Sequence, residues 1–291
     1  MTILFAFAFA LVTWWLTTGL VAFAVRVGDG QRPAVLVGFG GLALLGIAGL
    51  IWSSNYPTLV AAYVGFASAL AVWSFHEAAF LMGIVTGSRS HACPKGAAGW
   101  RRFVAAFRAI DHHEISLFVT VVALVFLLGG GANPVGPLLL AVMWVMRLST
   151  KLIVFHGAPN AISDLMPPRV RYLNTYFRTD RVTPFFPLAL ALSACLLIVL
   201  ADATVRAPSV YAMAGHTLVG TFVLLAVAEH LFLMVPWRDA GLWDWAIRKD
   251  GAKPIGPRSA SEAEEPLNLT KVEISQSIQR SGRSVVANHS L

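Results

Sequence analysis

The sequence predicts an all-α fold, a membrane helical bundle with about seven transmembrane helices, N-terminus outside and C-terminus cytoplasmic. Three observations carry this. The 291 residues are 57% apolar and only 13% charged, with a mean hydropathy of +0.68, where a soluble domain carries about a quarter charged residues. Seven runs are long and apolar enough to cross a bilayer. Basic residues fall almost entirely on one side of those runs, which sets orientation.

The runs are 2–25, 34–53, 58–86, 113–130, 135–156, 184–203 and 210–236. No Lys or Arg precedes the first, the earliest being Arg26, and its length exceeds the apolar core of a secretory signal, so it reads as a span. The third is long enough to tilt or to project from the bilayer. With seven spans, the odd-numbered loops and the C-terminus share a face. That face holds Arg26, Arg32, Arg89, Lys95, Arg101, Arg102, Arg108, Arg169, Arg171, Arg178, Arg181 and every cation from Arg238 onward, while the other face has Arg206 alone. A basic rim against anionic lipid accounts for the net charge of +7, so membrane lipid is the expected partner and nucleic acid is not. Cys93, in a loop, and Cys195, in the sixth run, imply no disulfide framework.

Between the third and fourth runs, Trp100, Phe103, Phe107 and Ile110 form one apolar stripe at helical spacing, with Arg101, Arg102 and Arg108 largely off it. The pattern fits an interfacial amphipathic helix or an ordinary packed loop helix. Between the fifth and sixth runs, Pro167 and Pro168 suit a helix start, and Tyr172, Leu173, Tyr176 and Phe177 follow on one side. Residues 1–245 therefore read as the transmembrane domain and 246–291 as a flexible cytoplasmic tail rich in Ser, Glu, Arg and Asn. Within the tail, Leu267, Leu269, Val272, Ile274 and Ile278 give a weak signal for a short helix on a partner.

The chemistry lies in ionisable residues within the runs, since a charge at mid-bilayer costs about 2.5–3.5 kcal/mol on insertion scales. The third run carries His76 and Glu77, the fourth opens with Asp111, His112, His113 and Glu114, the fifth holds Arg147, Lys151 and His156, and the seventh holds Glu229 and His230. Three readings fit. In the first, His76, Glu77, His112, His113, Glu114, His156, Glu229 and His230 supply ligands to Fe, Zn or Mn. The His-Glu and Glu-His pairs are adjacent, about 100° apart on a helix, so one member would ligate while the other supports it. In the second, Arg147 and Lys151 form a charge network with Glu77 and Glu229, and no metal is needed. In the third, His76 or His216 is an axial ligand to the magnesium of a chlorin.

Four stretches together resemble a known family: Trp73 to Leu81; Gly99 to Glu114; Met146 to Asn160; and Arg171 to Phe177 before Phe186 and Pro187. They are similar to the PuhE family, photosynthetic complex assembly protein 2 of anoxygenic phototrophic bacteria, over roughly residues 5–240. The chain has Ile153 where the family pattern Lys-Leu-Asn-x-Phe places Asn. The resemblance implies a multi-pass protein of the bacterial cytoplasmic (inner or intracytoplasmic) membrane. It also implies an assembly factor working with photosynthetic complex subunits or pigment-synthesis proteins, with bacteriochlorophyll as the pigment. The alternative is a membrane metal-dependent oxidoreductase acting on a tetrapyrrole or another lipid-soluble substrate, with Arg147 and Lys151 neutralising a substrate carboxylate.

Overall fold

Seven long helices and one short one form where the apolar runs and the amphipathic loop lie. A computed structural model describes residues 1–27, 29–161 and 166–235. The chain divides into two units, Met1–Arg248 and Lys249–Leu291, and everything below concerns the first. The tail at 246–291, its possible helix at 267–278 and the end of the seventh run at Pro236 lie outside the described residues.

The helices are α1 (Thr2–Ala24), α2 (Arg32–Ser54), α3 (Leu59–Leu81), α4 (Gly99–Arg108), α5 (Asp111–Leu128), α6 (Val135–His156), α7 (Phe185–Val205) and α8 (Val210–Phe232). Among the described residues there are no strands. All but α4 are long and apolar enough to span a membrane. The spanning helices are apolar all round rather than on one stripe, as expected where the surrounding medium is itself apolar. Large side chains such as Leu44, Leu45, Phe126, Leu127 and Ile198 therefore stay uncovered on the outside.

Helix α3 is the centre of the bundle and packs against α1, α2, α5, α6 and α8. Phe66 of α3 is fully buried, as are Leu139 of α6 and Leu218 of α8. Small residues let backbones approach closely at two crossings. A Cβ on Gly46 of α2 would lie 2.8 Å from the Ser68 carbonyl oxygen of α3, and one on Gly65 of α3 would lie 3.4 Å from the Gly136 nitrogen of α6. At the Arg-poor end, buried Asn133 ties three elements. Its N–H donates to Ser54 O, while its Oδ1 accepts from Val135 N–H and Tyr211 O–H.

The opposite, basic end is more elaborate. The third run leaves its helix at Leu81, five residues earlier than the sequence predicts. Gly83 takes a left-handed conformation (φ 72°), Gly83 N–H donates to Phe80 O and Ile84 N–H to Ala79 O. This paired closure ends a helix whatever the hydropathy beyond it. The Arg32 guanidinium donates to Met82 O at the same point. Asp111 accepts from the backbone and hydroxyl of Ser88, both at 2.7 Å, and His113 N–H donates to Thr86 O at 2.9 Å. The segment at Thr86 and Ser88, between α3 and α4, is thereby tied to the start of α5.

After Pro167 the chain forms a 3-10 helix over Pro168–Tyr176. Val170, Leu173 and Tyr176, three apart, are buried, whereas Tyr172 and Phe177 are only half-buried. Three residues per turn select that set, which differs from the four-residue face read from sequence. The buried three pack with Phe80 and Ala109.

Candidate functional site: a charge network and a basic-end cavity

Arg147 lies on α6 between two carboxylates from other helices. Its guanidinium contacts Glu77 Oε2 of α3 at 3.3 Å and Glu229 Oε1 of α8 at 3.4 Å. One turn along, Lys151 pairs with Glu114 of α5. Between them, Ser149 Oγ stands 2.6 Å from His230 Nε2. Positions 147, 149 and 151 of one helix thus reach α3, α5 and α8. Only a helix in mid-bundle has faces available for all three, and α6 is one.

The histidines divide. His230 is fully buried, with Nδ1 2.6 Å from Ala226 O, so both ring nitrogens are engaged. His113 is 1% exposed, lies against the Phe80 ring at 4.4 Å and has Nε2 3.9 Å from Glu114 Oε1, outside hydrogen-bond range. Among the described residues, neither His113 nitrogen has a hydrogen-bond partner, nor has Glu77 Oε1. His76 is buried, edge-on to Phe75. His112 points outward, 61% exposed, near Asp111. His216, towards the other end of α8, has Nδ1 3.1 Å from Ala203 O of α7. The structure therefore joins Glu77, Glu229 and Arg147 in one set, and Glu114 and Lys151 beside His113 in another. His112, His156 and His216 stand apart from both. Among the described residues, no three His, Cys, Asp or Glu side chains lie together in an arrangement able to hold a metal ion.

His156, the last residue of α6, lines a separate cavity of about 320 Å3 with Trp100, Arg102, Phe103, Phe155 and Arg178. Its Nδ1 lies 2.9 Å from Leu152 O, and its ring packs between Phe155 and Phe185. The sequence places Arg102 largely off the apolar stripe of α4 and in the basic rim. The structure instead buries it: the guanidinium donates to Phe155 O at 2.9 Å and to Tyr176 O, and lies 4.1 Å from the Phe155 ring centre. Burial, and secondarily the nearby Arg178, push Arg102 below the usual guanidinium range. The gain is a clamp: an exposed arginine would leave the carbonyls at the ends of two helices, Phe155 O and Tyr176 O, unanswered by it.

Sequence reasoning missed Arg102 as a clamp, Ser149 as the partner of His230, and Asn160. Asn160 Nδ2 donates to Met234 O at 2.8 Å, and its N–H donates to Leu233 O. The only signal was indirect, since Gly157, Ala158 and Asn160 fall inside one of the four resembling stretches. Gly157 has φ 157°, and a Cβ there would lie 2.7 Å from Arg181 O, so no other residue fits that corner.

Fold and site together define a multi-pass helical membrane protein with paired charges inside and a basic cavity at one end. Residues 1–253 match the family described as "Protein of unknown function (DUF3623)", and the chain belongs to that family. It is 30% identical over 242 residues to a Rhodobacter capsulatus protein described as "Uncharacterized 30.4 kDa protein in puhA 5'region". The match covers 80% of this chain and 87% of that relative. No solved structure matches.

Proposed function

We propose that the protein is an assembly factor for photosynthetic complexes, of the PuhE kind, handling pigment or subunits at its basic end. That end faces the cytoplasm and the N-terminus the other side, following the Lys/Arg distribution. The four resembling stretches support the role, and so does the place of the Rhodobacter capsulatus relative in the puhA 5' region. The observation that carries the reading is α4. Arg102 holds the helix to the bundle, yet Trp100 is 74% exposed and Phe107 46% exposed at the membrane edge. A large apolar face kept uncovered beside a basic rim suits contact with lipid and a second membrane component.

The test is genetic. Replacing Trp100 and Phe107 together by Ser in a phototrophic host should leave the protein inserted but lower the near-infrared bands of assembled complexes severalfold. Total pigment in solvent extracts should fall much less. Wild-type bands with normal protein level would sink the assembly role of this face.

A metal-dependent oxidoreductase has one observation on its side. Among the described residues, His113 and Glu77 Oε1 are each buried without a hydrogen-bond partner, which is unusual in a settled network and leaves each able to meet an occupant of its own. Metal analysis of the purified chain decides it. Stoichiometric Fe, Zn or Mn that is lost in Glu77→Gln and His113→Ala supports that reading, and none in the wild type rejects it.

A further inference from the structure

Arg102 and Arg178 both line the basic-end cavity. Arg102 is fixed there by Phe155 O and Tyr176 O. Arg178 is fixed through its backbone, its N–H donating to Val154 O at 3.1 Å and its carbonyl accepting from Ala158 N–H at 2.8 Å. Neither forms an ion pair among the described residues. The nearby carboxylate, Asp180, is taken by Arg181 at 2.9 Å. Two like charges lining one cavity repel, and an anion between them removes that cost.

The remaining walls are aromatic. Trp100 stacks on Phe103 at 5.1 Å with 21° between planes, and Phe103 meets Phe155 edge-on at 5.9 Å. Trp100, largely exposed, stands at the mouth. His156 ends a spanning helix, so the cavity lies where the bilayer meets water. Its volume of about 320 Å3 suits a small polar headgroup, at the low end of ligand pockets. A free inorganic anion would meet the arginines but leave the aromatic walls wet. A phosphodiester carrying acyl chains would satisfy both.

We propose that this cavity seats the phosphodiester headgroup of an anionic phospholipid, with Arg178 and Arg102 on the phosphate and Trp100 and Phe103 against the glycerol and upper chains. Basic pockets at the ends of membrane helices recognise lipid headgroups by this chemistry. The inference stands whether or not the assembly role does.

The full chain, purified and delipidated in neutral detergent, is titrated with phosphatidylglycerol, phosphatidylcholine and inorganic phosphate. Lipid adducts are read by native mass spectrometry and stability by thermal unfolding. Phosphatidylglycerol should bind and raise the midpoint, and the other two should not. Arg178→Gln, which keeps the backbone bonds, should weaken phosphatidylglycerol about tenfold or more. Arg108→Gln, on an exposed residue of the same end, should bind as wild type. Equal binding of phosphatidylcholine, full competition by inorganic phosphate, or an unaffected Arg178→Gln variant that unfolds at the wild-type midpoint would each overturn the assignment. If Arg178→Gln lowers the lipid-free midpoint, Arg178→Lys decides: retained selectivity for phosphatidylglycerol supports the site, and lost selectivity with an intact midpoint overturns it.

Discussion

Arg147→Ala is expected to destabilise the bundle by about 3 kcal/mol. Removing the guanidinium leaves Glu77, 12% exposed, as an uncompensated carboxylate among apolar helices. Breaking one partner of a buried pair typically costs about 3–5 kcal/mol. Glu229→Gln should cost less, because the guanidinium keeps Glu77 as its partner and the new amide can still accept a hydrogen bond. Arg147→Lys should fall between, since a single ammonium cannot fork to two carboxylates. Adding Glu77→Gln to Arg147→Ala should restore most of the loss, because it removes the stranded charge. Denaturation in a detergent mixture measures all four. Equal stability of Arg147→Ala and wild type would show that the pair contributes nothing.

Gly46→Leu is expected to lower stability by about 1–3 kcal/mol, the range for overfilling a packed contact. Even the first added carbon would sit 2.8 Å from Ser68 O and 3.1 Å from both Ala71 Cβ and Val72 Cγ2. The obstacle includes α3 backbone, which cannot swing aside. Gly38→Leu provides the control, on the same helix and with the same chemistry, but with nothing within 4 Å of the added carbon. It should leave stability unchanged or slightly raised, since Leu favours helix more than Gly. Similar midpoints for the two variants would argue that α2 does not pack on α3 through Gly46.

The fold was readable because membrane spans depend on length and apolarity, which sequence carries directly. Seven helices lie where seven runs were drawn. The misplaced end was Leu81: hydropathy continued to position 86, but a left-handed glycine and two backbone hydrogen bonds stopped the helix. Glu77, Arg147 and Glu229 stood out as costly residues, yet which carboxylate Arg147 or Lys151 would meet depends on helix rotation. Lys151 meets Glu114 rather than Glu77 or Glu229. The burial of Arg102 is not legible because a helical wheel treats every arginine on a polar face alike. The carbonyls it answers, Phe155 O and Tyr176 O, lie 53 and 74 residues away. The cavity was invisible for the same reason, since α4, the end of α6 and the loop at Arg178 meet only in three dimensions.

The forked arginine also bears on how the chain is made. Glu77 is 70 residues ahead of Arg147, and Glu229 another 82 behind it. During synthesis the third helix must enter lipid before its counter-charge exists. Until then Glu77 has to wait beside the insertion machinery. Delivery of the fifth span is what lets the early ones settle. A nascent chain cut short before Arg147 should linger at the translocon and be cleared by quality-control proteolysis, while one extending past His156 should persist.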